Sequence, residues 1–376
     1  MSGAARRTLR IALAGLGCVG GKVAEWLLDP SHPVHAVSPL RLELAAVCVR
    51  DPGKARGLAL PDSVRMAGTL EELAAADADV VVELIGGVDR AGALVAAAIG
   101  VGRDVVTANK ALLAHRGPEL AARAEAAGRL LFFETAVGAG TPVIDVIEDS
   151  LGVCRVRSVH GVVNGTTNFI LSSMAERAGM TFGEALAEAS ALGYAEADPS
   201  LDVDGHDAAQ KLCVLAQLCF GQEVRPEDVA TTGIRHVTPS EILDGLEHRL
   251  ALRLLASAEL RDGRLRLAVR PAYIPRTHPL GQLNGVRNGL WIDTAEAGGI
   301  FLSGPGAGAE SSATGVLSDL ARVARLRAGG ATAWPLRMAR AKGRRGLLGA
   351  AAESALGNAP APSPRLRGRI ETALAD

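Results

Sequence analysis

Charge of one sign is what this sequence most plainly lacks. Its 376 residues hold forty Lys and Arg against forty-one Asp and Glu, a formal net charge of −1, so no global field draws it to nucleic acid or to an anionic membrane. Cysteine is scarce and irregular. The five, Cys18, Cys48, Cys154, Cys213 and Cys219, are odd in number and lack metal-ligand spacing, so they read as reduced core thiols of a cytoplasmic protein. Long apolar runs are missing too. The basic start at residues 1–7 leads into apolar residues cut by Gly15, Gly17 and Gly20, which supports neither a signal peptide nor a membrane span. With 48% hydrophobic and 22% charged residues, the composition is that of an ordinary globular protein long enough for two or three domains. Only the end departs from the balance. From Arg325 onward ten Lys and Arg face three Asp and Glu, leaving −8 on the first 324 residues.

What is present begins with a strand, a glycine turn and a helix. Residues 9–14 form an apolar run, followed by Gly15-Leu16-Gly17-Cys18-Val19-Gly20 and by the helical pattern Val23, Ala24, Trp26, Leu27, Leu28. This is the setting that the dinucleotide fingerprint requires. The first glycine permits the tight turn, the second lets a pyrophosphate approach the backbone, and the third lets the helix pack closely. Amides at the helix N-terminus then face the anion. A second strand, residues 42–49, ends in Arg50-Asp51-Pro52-Gly53-Lys54-Ala55-Arg56. Arg50 stands where a carboxylate would suit NAD, with Lys54 and Arg56 behind it, so the site leans to NADP, NAD remaining open beside Asp51. Residues 79–87 read as a third strand ending in a glycine pair, and residues 91–99 as a helix. A fourth strand, residues 104–107, opens onto Ala108-Asn109-Lys110, which places Thr107 and Lys110 where open α/β sheets bind ligands. Residues 130–134 read as a fifth strand. The small residues of the following loop, 135–142, leave carbonyls beside Glu134, an oxygen-rich setting for a hard cation.

From Val156 the pattern changes to strands at 156–163, 265–274 and 290–294 broken by helices at 182–192, 208–220 and 248–256. It reads as a second α/β domain with a mostly antiparallel sheet. The turn at residues 161–168, Gly161 to Asn168, offers another anion-friendly helix start. Residues 304–308, ending in Gly308, precede a helical pattern at 311–325 that returns to the first domain. Beyond about Arg327 the chain is rich in Ala, Gly, Pro and Arg and reads as a mobile or loosely docked tail. The expected domains are thus 1–150 for the dinucleotide, 151–303 for a second function, 304–326 as a return helix and 327–376 as the tail.

The chemistry is concentrated in residues 193–211, which carry Glu196, Asp198, Asp202, Asp204, Asp207 and Lys211 and run straight into the apolar stretch 212–220. Asp204 could cap the helix with Asp207 as its capping-box partner, and Asp207 with Lys211 at i and i+4 could be an ordinary helix ion pair. Against those readings, a helix apolar on nearly every side buries its first turn, and a buried lysine with a shifted pKa belongs to a cleft.

These segments resemble homoserine dehydrogenase from Gly15 to about Arg325, through residues 82–87, 106–113, 164–168 and above all Leu192-Gly193-Tyr194-Ala195-Glu196-Ala197-Asp198-Pro199 through Lys211, extended by His278-Pro279-Leu280 and residues 304–308. The resemblance implies a Rossmann-type dinucleotide-binding domain and a second domain that binds substrate and makes a homodimer. It implies NAD(P)-dependent interconversion of L-homoserine and L-aspartate 4-semialdehyde, on the branch to threonine, methionine and isoleucine. It assigns Lys211 as proton donor, Lys110 beside nicotinamide and substrate, and Glu196 and Asp207 to homoserine, with Gly193, Tyr194, Asp202 and Thr166 lining the substrate. Gly15, Leu16, Gly17, Cys18, Val19, Gly20, Arg50, Lys54, Thr107, Lys110, Gly193 and Gly308 fall to the cofactor, and Glu134, Val137, Ala139 and Thr141 to a sodium ion, one through a side chain and the others through carbonyls. Asp204 fits best as a cap.

The chemistry suits the residues independently, since a carbonyl turning into an alkoxide needs an acid and an amino acid needs carboxylates for its ammonium. No regulatory ACT domain and no preceding kinase segment are expected, so threonine inhibition through such a domain is not expected either. A dinucleotide sensor with a basic tail would not need substrate carboxylates beside a lysine; another small amino- or hydroxy-acid dehydrogenase would.

Overall fold

The computed structural model describes residues 7–54, 57–332 and 336–343; Arg56 of the basic loop and most of the expected tail lie outside them. The described residues form two compact units. One takes residues 7–152, 217–223 and 307–343, the other 153–216 and 224–306.

The first unit is built on a parallel sheet of β1 (Thr8–Ala14), β2 (Arg41–Cys48), β3 (Arg65–Ala67), β4 (Val80–Glu83), β5 (Asp104–Thr107) and β6 (Leu131–Phe132). The strand order is β3-β2-β1-β4-β5-β6, so the chain reverses direction across the sheet between β1 and β4, where such sheets bind ligands at the carboxyl ends of their strands. All four residues of β4 are buried, as expected of a parallel strand covered on both faces. Helix α1 (Cys18–Leu28) buries Gly20, Val23, Ala24 and Leu27, one stripe at helical spacing. The long helix Ala309–Ala328 sends Ala313, Val316, Leu317 and Leu320 into the same core as Ile11, Leu13, Val82 and Val106. Each such Ile or Leu, fully buried, stabilises by about 1.5–3 kcal/mol.

The second unit carries β7 (Val156–Val162), β8 (Ala230–Thr231), β9 (Leu250–Arg261), β10 (Arg264–Pro275), β11 (Arg287–Thr294) and β12 (Gly298–Pro305) in the order β12-β11-β7-β9-β10-β8. Every pairing is antiparallel except the two-residue contact of β8 with β10. The fold is therefore α/β with a Rossmann-like parallel sheet and a second, mostly antiparallel one, as the sequence suggests.

Several local expectations are corrected. The helix expected at 248–256 is absent: residues 250–256 are the first part of β9, and the helix lies just before, at Pro239–Glu247. Ten consecutive residues of β9 are buried, so the two-residue alternation that marks a strand is lost. The expected fifth strand shrinks to Leu131–Phe132 because Glu134 turns away to begin the next loop. β12, which the sequence reading did not anticipate, runs into the start of the 304–308 stretch; Gly299 lies against the Trp291 ring, where a Cβ would overlap it. Finally, residues 336–343 are not loose. Leu336, Met338 and Ala341 are buried, and Met338 packs against Gly117.

Candidate active site

In the first unit, β1 delivers the glycine turn to the switch point. Gly15 has φ +96° and donates to the Cys48 carbonyl at 2.9 Å; a Cβ there would sit 2.7 Å from the Leu84 carbonyl oxygen. A Cβ on Gly20 would overlap the Gly15 carbonyl oxygen, whereas one on Gly17 would meet nothing within 4 Å. Two of the glycines thus close the turn and the middle one leaves open space where a pyrophosphate would approach. No side chain caps α1, so its first-turn amides face that space. Leu16 and Val19 are half-buried, but Cys18 is exposed, which corrects its reading as a core thiol.

Arg50 and Lys54 are exposed in the connection after β2. Asp51 is folded back on its own turn, its Oδ1 accepting from Gly53 N at 2.9 Å. At the end of β4, the fully buried Glu83 accepts from the amides of Ile85 and Gly86 at 2.9 and 3.0 Å and from the Thr107 hydroxyl at 2.5 Å. Thr107 Oγ1 in turn accepts from Asn109 N, and Asn109 caps the next helix, Lys110–Ala126, through Leu112 N while donating to the Gly87 carbonyl at 2.6 Å. Thr107 therefore braces the strand end with a hydroxyl already engaged inside the protein, and Lys110 is placed, half-buried, as the first residue of a capped helix. Gly308, at φ +130°, begins the helix Ala309–Ala328.

Glu134 sits at the start of the oxygen-rich loop. Its carboxylate accepts from Val143 N at 2.6 Å, Ile144 N at 2.9 Å and Asp145 N at 2.7 Å, and its own amide donates to Asp319 at 3.0 Å. Burial outweighs these amides and pushes the Glu134 pKa up to about 7; Asp319, wholly buried, is pushed well above the usual carboxylate range by burial and by the Glu134 charge. Ala139 has φ +48°, and the carbonyl of Thr141 accepts from Val143 N.

In the second unit, β7 ends at Val162 and the chain turns through Val163 and Asn164 into the helix Gly165–Glu176. The Lys211 ammonium donates to the Val163 carbonyl at 2.7 Å and lies 3.0 Å from Asp207 Oδ2. Lys211 is 7% and Asp207 5% exposed, so the i, i+4 pair that a surface helix would give to solvent is enclosed. Asn164 Nδ2 donates to Asp202 Oδ1 at 2.7 Å and to Asp207 Oδ2 at 3.0 Å. Thr166 Oγ1 bridges Asp202 Oδ2 at 3.1 Å and the Tyr194 carbonyl at 2.7 Å. Burial first, and then the Asp207 charge, push the Asp202 pKa up, against the hydrogen bonds from Asn164 and Thr166.

Of the residues expected around the substrate, Thr166, Tyr194, Asp202, Asp207 and Lys211 are thus brought together. Glu196 is exposed on the same connection and Gly193 is exposed with φ +78°; Glu196 makes no hydrogen bond to this cluster. Asp204 is not the helix cap. Its carboxylate binds the Arg235 guanidinium at 2.5 and 3.0 Å, and Gly205 precedes the helix His206–Phe220.

Two family models match the chain, homoserine dehydrogenase over residues 142–321 and the homoserine dehydrogenase NAD-binding domain over residues 15–134. A homoserine dehydrogenase of Synechocystis sp. is 42% identical over 322 residues, 84% of this chain and 73% of its own length. The chain belongs to the homoserine dehydrogenase family. It is accordingly an NAD(P)-dependent oxidoreductase. A Thiobacillus denitrificans homoserine dehydrogenase structure aligns with a TM-score of 0.81 at 35% identity, covering 86% of this chain and 74% of that one. A hyperthermophilic archaeal homoserine dehydrogenase in complex with NADPH aligns at 0.72 and 30% identity, over 85% of this chain and 98% of that one.

The residues that support the site are not apparent from the sequence. Glu83 and Asn109, which fix the strand ends, and Asn164, which joins two site carboxylates, lie inside motifs already singled out. Their partners are 22 to 43 residues away, beyond the reach of local spacing. Asn109 and Asn164 each carried a local signal, as cap residues at the start of a helix.

Proposed function

We propose that Lys211 is the proton donor in the interconversion of L-homoserine and L-aspartate 4-semialdehyde, with Asp202, Asp207 and Thr166 seating the amino acid and Lys110 beside the reacting carbon. The observation that carries this reading is the enclosed ammonium of Lys211, held by Asp207 at 3.0 Å and the Val163 carbonyl at 2.7 Å. An ammonium has three N–H bonds; these two contacts orient it and leave a third for the substrate oxygen. In the reducing direction negative charge develops on the aldehyde oxygen and Lys211 supplies the proton; in reverse, the same side chain is the acceptor of the hydroxyl proton. The bound nicotinamide supplies or accepts the hydride. Glu196 and Asp207 are assigned to homoserine, with Gly193, Tyr194 and Asp202 lining the same site.

For the cofactor, the Gly15–Gly20 turn with Leu16, Cys18 and Val19 is assigned to the pyrophosphate, and Gly193 and Gly308 to further contacts. NADP is preferred, Arg50 and Lys54 taking the 2′-phosphate while Asp51 is occupied by its own turn. The Glu134 carboxylate and the carbonyls of Val137, Ala139 and Thr141 are hard oxygen donors of the kind that suits sodium. Three of the roughly four acceptor positions on the Glu134 carboxylate are filled by amides, and a cation there would offset the charge of a carboxylate that burial disfavours. The protein is read as a cytoplasmic homodimer, formed through its second domain, serving the branch to threonine, methionine and isoleucine. The dinucleotide role is assigned to 1–150 and the substrate and dimer role to 151–303, with 304–326 as the return helix and residues 336–343 joining the first unit in place of a loose tail.

The test is Lys211→Ala assayed as homoserine-dependent NADP reduction. Turnover should fall by about 10²–10⁴, the usual contribution of a positioned acid or base, with the far-UV spectrum unchanged. Turnover near that of the unmodified protein would overturn the assignment.

A further inference from the structure

Three elements of the substrate site meet on one side chain. Asn164 lies between β7 and the helix Gly165–Glu176, Asp202 on the short helix Ser200–Val203, and Asp207 in the first turn of the helix His206–Phe220. The Asn164 amide nitrogen gives one hydrogen to Asp202 Oδ1 at 2.7 Å and the other to Asp207 Oδ2 at 3.0 Å. Its oxygen accepts from Thr167 N and from Thr167 Oγ1, both at 2.9 Å. An amide has two donors and two acceptor lone pairs, so all four are in use and only one orientation satisfies them. A flip would turn its oxygen toward two carboxylates and its NH₂ toward an amide N–H.

We propose that Asn164 is a positioning residue that sets the spacing of Asp202 and Asp207 around Lys211, and so governs how the site takes the substrate's ammonium; the inference rests on the functional reading above. The choice of an amide has a charge consequence. Asp202 and Asp207 repel each other, and Lys211 pairs directly with Asp207. An arginine or lysine bridging the two aspartates would cancel the remaining negative charge, and an aspartate would add to the repulsion. A neutral double donor joins them and leaves the cluster net negative, the sign a cationic amino group requires. Asn164 also caps a helix, and a cap alone would be a merely structural role.

Asn164→Ser separates the two roles. Serine caps a helix nearly as well as asparagine but is too short to span both aspartates. In the full-length protein with homoserine and NADP, the serine variant should melt close to the unmodified protein. Its KM for homoserine should rise at least tenfold while the KM for NADP stays within twofold. The acid limb of kcat/KM should move to higher pH, because Asp202 loses a donor that favours its charged form and keeps Thr166, Asp207 and Lys211 as its other neighbours. Asn164→Asp, which preserves size and capping but removes the donors, should show a larger rise in KM and serves the same test if the serine variant does not fold. An unchanged homoserine KM and pH profile in a folded variant overturns the positioning role and leaves the functional reading standing. Absence of homoserine-dependent NADP reduction by the unmodified protein overturns that reading, and this inference with it.

Discussion

Glu134 is held by three amides, yet burial pushes its pKa from 4.5 to about 7. A raised carboxyl binds its proton more tightly in the folded chain than in the unfolded one. Its contribution to stability is therefore full below pH 4.5 and declines as pH rises toward 7, by roughly 3 kcal/mol in all. Asp319 shifts in the same direction. A hard cation on the Glu134 loop favours the charged form and should reverse the loss. At pH 8, melting in sodium chloride is expected a few degrees above melting in choline chloride of equal concentration, and the gap should close in Glu134→Gln. Equal melting of the unmodified protein in the two salts would argue that sodium is not bound there. At this scale the grouping of Lys211, Asp202 and Asp207 was legible because an acidic segment running into an apolar helix is unusual, whereas Thr166 entered only through the resemblance. Asp204 was misread because Arg235, 31 residues on, claims its carboxylate, a partner that local spacing does not reveal.

Among elements, the glycine turn was legible with its reasons. The sequence assigns the third glycine of the fingerprint to close helix packing, and the steric limit at Gly20 proves to be the Gly15 carbonyl within the turn itself. Gly17→Ala places a methyl in open space and should leave folding stability within about 0.5 kcal/mol while weakening cofactor binding, read by fluorescence titration with NADPH. Gly20→Ala forces the turn open and should lower the melting temperature as well. Loss of stability in Gly17→Ala, or unaltered NADPH affinity in it, would show that the middle glycine does not serve the cofactor. The exchange of helix for strand at residues 239–261 has a different origin. Thr238-Pro239-Ser240-Glu241 forms a capping box with proline at the first helical position, a start signal readable in advance. The following strand is buried on both faces, and a continuous apolar run does not distinguish a strand from a buried helix.

For the whole molecule, near-neutral charge and a division into two units follow from composition and length, while the docking of residues 336–343 depends on three buried apolar residues, Leu336, Met338 and Ala341, spaced among basic ones, Met338 lying against Gly117. Each unit has its own core, so a ligand bound by one of them contributes first to that unit's stability. A ligand that binds only the folded protein stabilises it by about 2.7 kcal/mol at a hundred times its dissociation constant. NADP should therefore raise the melting temperature in proportion to the logarithm of its concentration. If Arg50 and Lys54 hold the 2′-phosphate, NAD at equal concentration should raise it less, since each exposed charge-assisted contact it lacks weakens binding. Arg50→Ala combined with Lys54→Ala should reduce the NADP shift toward that of NAD and leave the NAD shift nearly unchanged. Equal shifts for both cofactors in the unmodified protein would remove the basis for an NADP preference, because the pyrophosphate proposed for the turn at Gly15–Gly20 is common to the two dinucleotides.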